Sequence, residues 1–173
     1  MNKAATAMLA LSLGALSMSP VVATAQEAGS VGAVFEMADL DRCLGKAGDN
    51  PRSCIGTLSN ECQMTSDGST TPGIVKCEHA ETELWDRLLN NRYKAAMAAT
   101  KERESDMKQS GRQSNAVVTL REAQRKWVAF RDAECQRVLE YYAAGTIRGP
   151  AFAGCQLRLT AERAIDFAPK NFR

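Results

Sequence analysis

Six cysteines constrain this chain more than any other feature: Cys43, Cys54, Cys62, Cys77, Cys135 and Cys155. An even count in an exported chain reads as a disulfide framework. Their spacing is regular with respect to turns. Cys43 and Cys54 are centred on the Gly48-Asp49 turn, and Cys135 and Cys155 on Gly145. Cys62 and Cys77 flank a loop of Ser, Thr, Gly, Asp and Pro between Thr65 and Gly73. Cysteines placed symmetrically about a helix–helix turn can face each other across the hairpin. The predicted pairing is therefore sequential: Cys43–Cys54, Cys62–Cys77 and Cys135–Cys155. Each bridge is expected to add about 2–4 kcal/mol.

The case for export comes from the first 25 residues. Lys3 gives a basic start, Ala7 to Leu16 is an apolar run, and Pro20 breaks it. Ala23-Thr24-Ala25 is an A-x-A cleavage site, so a signal peptide over 1–25 is predicted, cleaved after Ala25. Residues 26–32 read as a flexible leader. No cysteine lies near the cleavage site to take a lipid anchor. No later segment approaches about 20 apolar residues, so no integral membrane segment is expected. These features predict a soluble periplasmic or secreted protein. The formal net charge of +2, or +1 once Lys3 is removed, is too small to argue for nucleic acid or an anionic membrane as a partner. The charge is uneven, with seven acids and four bases over 26–77 but ten bases and six acids over 120–173. Pairing between helices is the expected use of that asymmetry.

Apolar periodicity predicts helices throughout and no strand. The predicted segments are Ala33–Lys46, Pro51–Gln63 with Asn50 as its cap, Ile74–Met107, Ala116–Ala143 as the longest, and Ala151–Phe167. Ala80, Leu84, Leu88, Ala95 and Ala99 fall on one side, with Trp85, Leu89 and Ala96 beside them, as a wide apolar stripe at 3.6-residue spacing. Leu120, Ala123, Trp127, Phe130, Val138 and Tyr141 are expected to form the buried face of the next helix, and Phe152, Cys155, Leu159 and Ile165 that of the last. The fold class is all-α, a small disulfide-stapled bundle of antiparallel helix hairpins. A single domain is expected over 33–173, with an N-terminal hairpin over 33–64 and core helices over 74–168.

No catalytic set emerges. His79 is the only histidine and sits beside Glu78 and Glu81 on what reads as a solvated face. The cysteine spacings fit no zinc pair, haem attachment or thiol-redox motif. There is no G-x-S-x-G elbow or phosphate loop. The carboxylate pairs Glu81/Glu83, Glu102/Glu104 and Asp132/Glu134 are two residues apart, so they do not face each other on a helix. They read as solvated faces. A non-enzyme without metal or cofactor is expected.

The segment AQRKWVAFRDAEC, Ala123 to Cys135, resembles the hallmark of the LprI-like lysozyme-inhibitor family. Leu89-Asn90-Asn91-Arg92-Tyr93 is similar to the family's LN-x-x-Y element, with Cys77 standing shortly before it. Gly145-Thr146 followed by Cys155-Gln156-Leu157-Arg158-Leu159-Thr160-Ala161-Glu162-Arg163 is similar to its C-x-x-x-L-T-x-x-R element. The resemblance covers about Cys77 to Arg163, leaving Cys43–Cys62 as an extra helical hairpin. It implies an extracytoplasmic helical domain. Leu89, Trp127 and Phe130 would be core. Asn90, Tyr93, Arg131 and Asp132 would form a buried polar network, with Gln124, Thr160 and Arg163 as further structural positions.

Two functions follow from that resemblance. One is a non-catalytic binding protein that inhibits lysozyme, presenting the loop Gly145-Thr146-Ile147-Arg148-Gly149 to the enzyme's cleft. Thr146, Ile147 and Arg148 are its candidate contact residues, because a cation on a pre-ordered loop suits a site built on two carboxylates. The other is an envelope scaffolding or ligand-binding module with a different partner.

Overall fold

Gly56 decides how the chain enters its core. The computed structural model describes residues 35–169; the predicted signal peptide, the leader and the first residues of the predicted N-terminal helix lie outside them. α1 spans Met37–Ala47, and a short 3-10 turn follows at Pro51–Cys54. The continuous helix predicted from Pro51 to Gln63 is broken there. Ile55 is extended and Gly56 is left-handed at φ 85°, a conformation that favours glycine. α2, Thr57–Gln63, then starts afresh. Asn50 makes no side-chain cap, contrary to expectation, because the segment it precedes is a tight turn and not an α-helix.

α2 is capped instead from another helix. The Glu81 side chain is fully buried and accepts hydrogen bonds from Gly56 N (2.8 Å), Ser59 N (2.8 Å) and Trp85 Nε1 (2.9 Å). Its two oxygens hold amides that α2 cannot satisfy internally. The expectation that Glu81 lies on a solvated face is overturned. The i,i+4 spacing to Trp85 lets one carboxylate serve both its own helix and the neighbouring one.

α3 runs Thr71–Gln109, 39 residues, and α4 runs Ala116–Tyr141, 26 residues. The longest helix is thus α3, not α4. Thr70 caps α3 by accepting from Gly73 N, which moves the start three residues ahead of the predicted one. α5 spans Arg148–Asp166, so Arg148 and Gly149 belong to its first turn and not to a connecting loop. Among the described residues there are five α-helices and no strand. Successive helices α3, α4 and α5 are joined as hairpins, which makes α3 and α5 parallel. That order is visible in the contacts: Gly149 faces Val75, Gly154 faces Glu78, and Arg92 reaches the carbonyl of Ala164.

The α3–α5 contact is the most extensive in the fold. Small residues of α5, Ala153, Ala161 and Ala164, are buried against it and let the helices approach. Trp85, Leu84 and Leu89 of α3 meet Leu157 and Ile165 of α5 in one core that also takes Leu40 of α1 and Phe167. The cysteines pair as Cys43–Cys54, Cys62–Cys77 and Cys135–Cys155, with Cα separations of 5.8, 5.8 and 5.5 Å.

Removing the Glu81 carboxylate would leave three donors without partners, two of them buried and that of Gly56 half-buried. Glu81→Ala is expected to cost at least about 3 kcal/mol, since hydrogen bonds to a charged group are worth roughly 1.5–3 kcal/mol each. Urea unfolding of the oxidised protein measures it, and a midpoint unchanged from the parent would show that α2 does not depend on this cap.

Candidate functional site

α4 is covered along one narrow strip only. Val117, Leu120, Gln124, Trp127, Arg131, Glu134 and Val138 are half-buried, at alternating steps of three and four, and Cys135 is its one buried residue. Ala123, Phe130 and Tyr141 fall beside this seam. Phe130 is 55% exposed and is not core, and Tyr141 is exposed as well. The strip is narrow because α5 carries most of the contact with α4 and α3 adds little.

Within the strip the signature residues form a stacked ladder between α4 and α5. The Arg163 guanidinium lies 4.5 Å from the Phe167 ring centre and 5.7 Å from that of Trp127, with Arg131 at 5.2 Å from Trp127. Tyr93 of α3 meets Phe167 edge-on at 5.6 Å. Arg163 Nε donates to Gln124 Oε1 (3.1 Å), and Arg131 approaches the buried Thr160 hydroxyl (3.5 Å). Burial lowers the affinity of Arg163 for its proton, opposed by Asp166. The expected polar network is therefore only partly assembled. Tyr93 and Arg131 join the ladder, but Asn90 is exposed and bonds Asp86 one turn back. Asp132 is exposed and holds its neighbour Arg131. Leu89 is buried as expected, and Trp127 is half-buried. Arg92, donating to Ala164 O at 2.7 Å, and Phe167 were missed by the sequence reading; the i,i+4 spacing of Arg163 and Phe167 was the available signal. This arrangement ties three helices together.

A different character marks the end of the bundle where α3 and α5 begin. The connection from Tyr142 to Ile147 is closed below by Cys135–Cys155. Turn hydrogen bonds Gly145 N→Tyr142 O and Arg148 N→Gly145 O hold its shape. It exposes Tyr141 (76%), Tyr142 and Ile147 (54%), the two tyrosines packed edge-to-face at 4.9 Å. The Cys62–Cys77 bridge ties down the neighbouring loop, which carries the exposed Met64. Thr146 is exposed. Arg148 is not a projecting cation. Its guanidinium turns back to Glu140 at 3.4 Å, and its Nε is buried with no hydrogen-bond partner among the described residues.

Residues 62–167 match the family described as Lysozyme inhibitor LprI. The chain belongs to the LprI family. No curated protein and no solved structure matches it. The matched span opens at Cys62, so it takes in both bridges of the loop-bearing end and leaves out α1 with Cys43–Cys54. Among the described residues no helix is long and apolar enough to cross a membrane, and no cluster of His, Cys, Asp or Glu is arranged to hold a metal. His79 is exposed, at the mouth of a shallow polar groove of about 580 Å³ between α3 and Arg131.

One titratable group of the LprI domain stands out. Glu78 is pushed up to about 7 from 4.5, first by burial and then by the neighbouring Glu81, with the Gly154 backbone pulling the other way. Gly154 lets the carboxylate lie against α5: a Cβ there would sit 3.1 Å from Glu78 Oε1. The folded protein holds this proton to about pH 7 and the unfolded chain releases it near 4.5. The folded state binds more protons in that window, so this group makes stability fall as pH rises from about 4.5 to 7. Glu78→Gln is expected to flatten the decline in Tm between pH 5 and pH 8 and to raise Tm at pH 8. An unchanged pH profile would show that Glu78 ionises freely in the fold.

Proposed function

We propose that this chain is an exported, non-catalytic inhibitor of lysozyme that docks through the disulfide-stapled end of its bundle. The observation that carries the reading is the exposed Tyr141, Tyr142 and Ile147 on a connection closed by Cys135–Cys155. Aromatic side chains on rigid backbone are the residue type from which protein interfaces draw most of their binding energy. A loop that is already ordered loses little entropy on docking. Membership of the LprI family supports lysozyme as the partner.

In this reading Ile147 and the tyrosines fill the substrate cleft, and Thr146 offers a hydroxyl at the same edge. Arg148 contributes by holding Glu140 and shaping the first turn of α5. It reaches the catalytic carboxylates only if the Glu140 contact opens. Cleavage after Ala25 would release the protein as a soluble species outside the cytoplasm.

The test is inhibition of several lysozyme classes by oxidised residues 26–173, with reduced protein alongside. Dose-dependent inhibition that disappears on reduction is expected. Tyr141→Ala and Ile147→Asp should each weaken it at least about tenfold, in the range of interface hot spots. Arg148→Ala should weaken it less than either. If no lysozyme class is inhibited by correctly oxidised protein, the partner lies elsewhere and the chain serves as another kind of envelope binding module. If inhibition survives both loop variants, the docking surface is wrong.

A further inference from the structure

The opposite end of the molecule is built for something else. Ala96 is the last buried residue of α3, yet the helix continues to Gln109. At 1.5 Å per residue, that adds about 20 Å of helix beyond the core. α4 returns beside it, so the two helices form an arm with its own thin seam of half-buried side chains: Met97, Thr100, Glu104 and Met107 against Val117 and Leu120. Glu104 belongs to this seam and accepts from Val117 N at 2.9 Å, capping α4. Gly111, left-handed at φ 74°, turns the chain at the tip.

The arm is cationic. Residues 101–126 carry seven bases and four acids, whereas residues 35–100 carry seven bases and ten acids. Ion pairing within the arm does not absorb this difference: among its described residues Arg125–Glu122 is the one pair. Among the described residues only Arg52–Glu162 and Arg148–Glu140 are ion pairs that join separate elements; the others lie within single helices.

At the tip lies a hollow of about 470 Å³. Lys101 and Lys108 border it from one face of α3, two turns apart, and Arg112 borders it from the turn. All three are exposed, and none takes part in an ion pair with a described residue. Ser105, Gln113 and Ser114 add hydrogen-bonding groups to the same wall. The one carboxylate in the hollow, Glu104, accepts from the α4 backbone through Oε2 and leaves the lining with a formal charge of +2. The first α4 amides are occupied as well, Ala116 N by Ser114 and Val117 N by Glu104, so attraction for an anion rests on the three side-chain cations.

We propose that this tip is a binding site for phosphate groups, formed by Lys101, Lys108 and Arg112. Three unpaired cations around one polar hollow suit a compact polyoxygen anion, which accepts several charge-assisted hydrogen bonds at once. Phosphate can reach it as a free ion or as the headgroup of an anionic lipid. The site stands apart from the loop-bearing end, because α3 alone places about 50 Å between its first residues and the tip. It does not depend on lysozyme being the partner at the other end.

The experiment uses 15N-labelled, oxidised residues 26–173 titrated with inorganic phosphate against equal ionic strength of chloride. Sedimentation with phosphatidylglycerol vesicles and with phosphatidylcholine vesicles runs in parallel. Amides of residues 104–117 are expected to shift with phosphate while those of residues 141–149 do not. Retention on phosphatidylglycerol, weakened by added salt, would identify a lipid headgroup as a source. Phosphate shifts without retention would identify the free ion. The variant Lys101→Gln/Lys108→Gln/Arg112→Gln should lose on the order of a hundredfold in vesicle affinity, since each basic residue near an anionic surface adds about fivefold. A matched control, Lys46→Gln/Lys94→Gln/Arg125→Gln, should retain both responses. The proposal is overturned if neither phosphate nor phosphatidylglycerol binds. It is also overturned if the tip and control variants lose binding equally, because a diffuse charge would then suffice.

Discussion

The buried Glu81 carboxylate is the constraint on which the rest of the structure depends. A charged group without water is tolerable only when its oxygens are satisfied. Here the donors come from two places: the opening amides of α2 and the indole of Trp85. The same bonds therefore fix where α2 begins, how it sits on α3, and which way the largest core side chain faces. The Cys62–Cys77 bridge closes the other end of α2 onto α3 one turn before Glu81. Between them, a cap and a covalent staple hold a seven-residue helix that would not persist alone.

From that junction the bundle develops two unlike ends. Where α3 and α5 start together, bridges and tight turns present aromatic and aliphatic side chains on backbone with little freedom. Where α3 outruns α5, two helices continue without a third to cover them, and their side chains are charged. The middle is held by stacking of guanidinium groups on Trp127 and Phe167, which lets arginines fill helix interfaces where aliphatic residues would be usual. An inhibitor needs one rigid, partly apolar edge. A protein that stays near an anionic surface needs one cationic extremity. The two proposed sites lie at opposite ends of α3 and share no residue.

Much of this was legible from residue order, for identifiable reasons. The disulfide pairing followed from turn residues lying midway between cysteines, because helix length on either side of a turn sets what can meet. The all-α class followed from apolar spacing. Trp85, Leu84 and Leu89 were legible as core because α3 is contacted by both α2 and α5. The same reasoning failed on α4. Phe130, Ala123 and Tyr141 are apolar at plausible spacing, but a helix covered chiefly by one neighbour buries only a narrow seam, and they fall beside it. Asp132 stayed outside for the same reason, while Gln124 and Arg131 lie inside the seam; Asn90, on α3, is exposed and bonds Asp86 one turn back. Glu81 was missed because a carboxylate set among Glu78, His79 and Glu83 looks like a surface residue until the amides it accepts from are known. Arg148 looked like a projecting cation because nothing local reveals that Glu140, eight residues earlier, turns it back.

The sequence alone determined the helical class, the partners of the cysteines and the family. Each is set by short-range spacing or by a string of residues, and neither needs knowledge of what else is nearby. Tertiary structure decided which polar groups are inside, which aromatic residues are outside, and that α3 overshoots its companions to make a cationic arm. Those outcomes depend on how many helices cover each face. Coverage is a property of the assembled bundle and of no single segment within it.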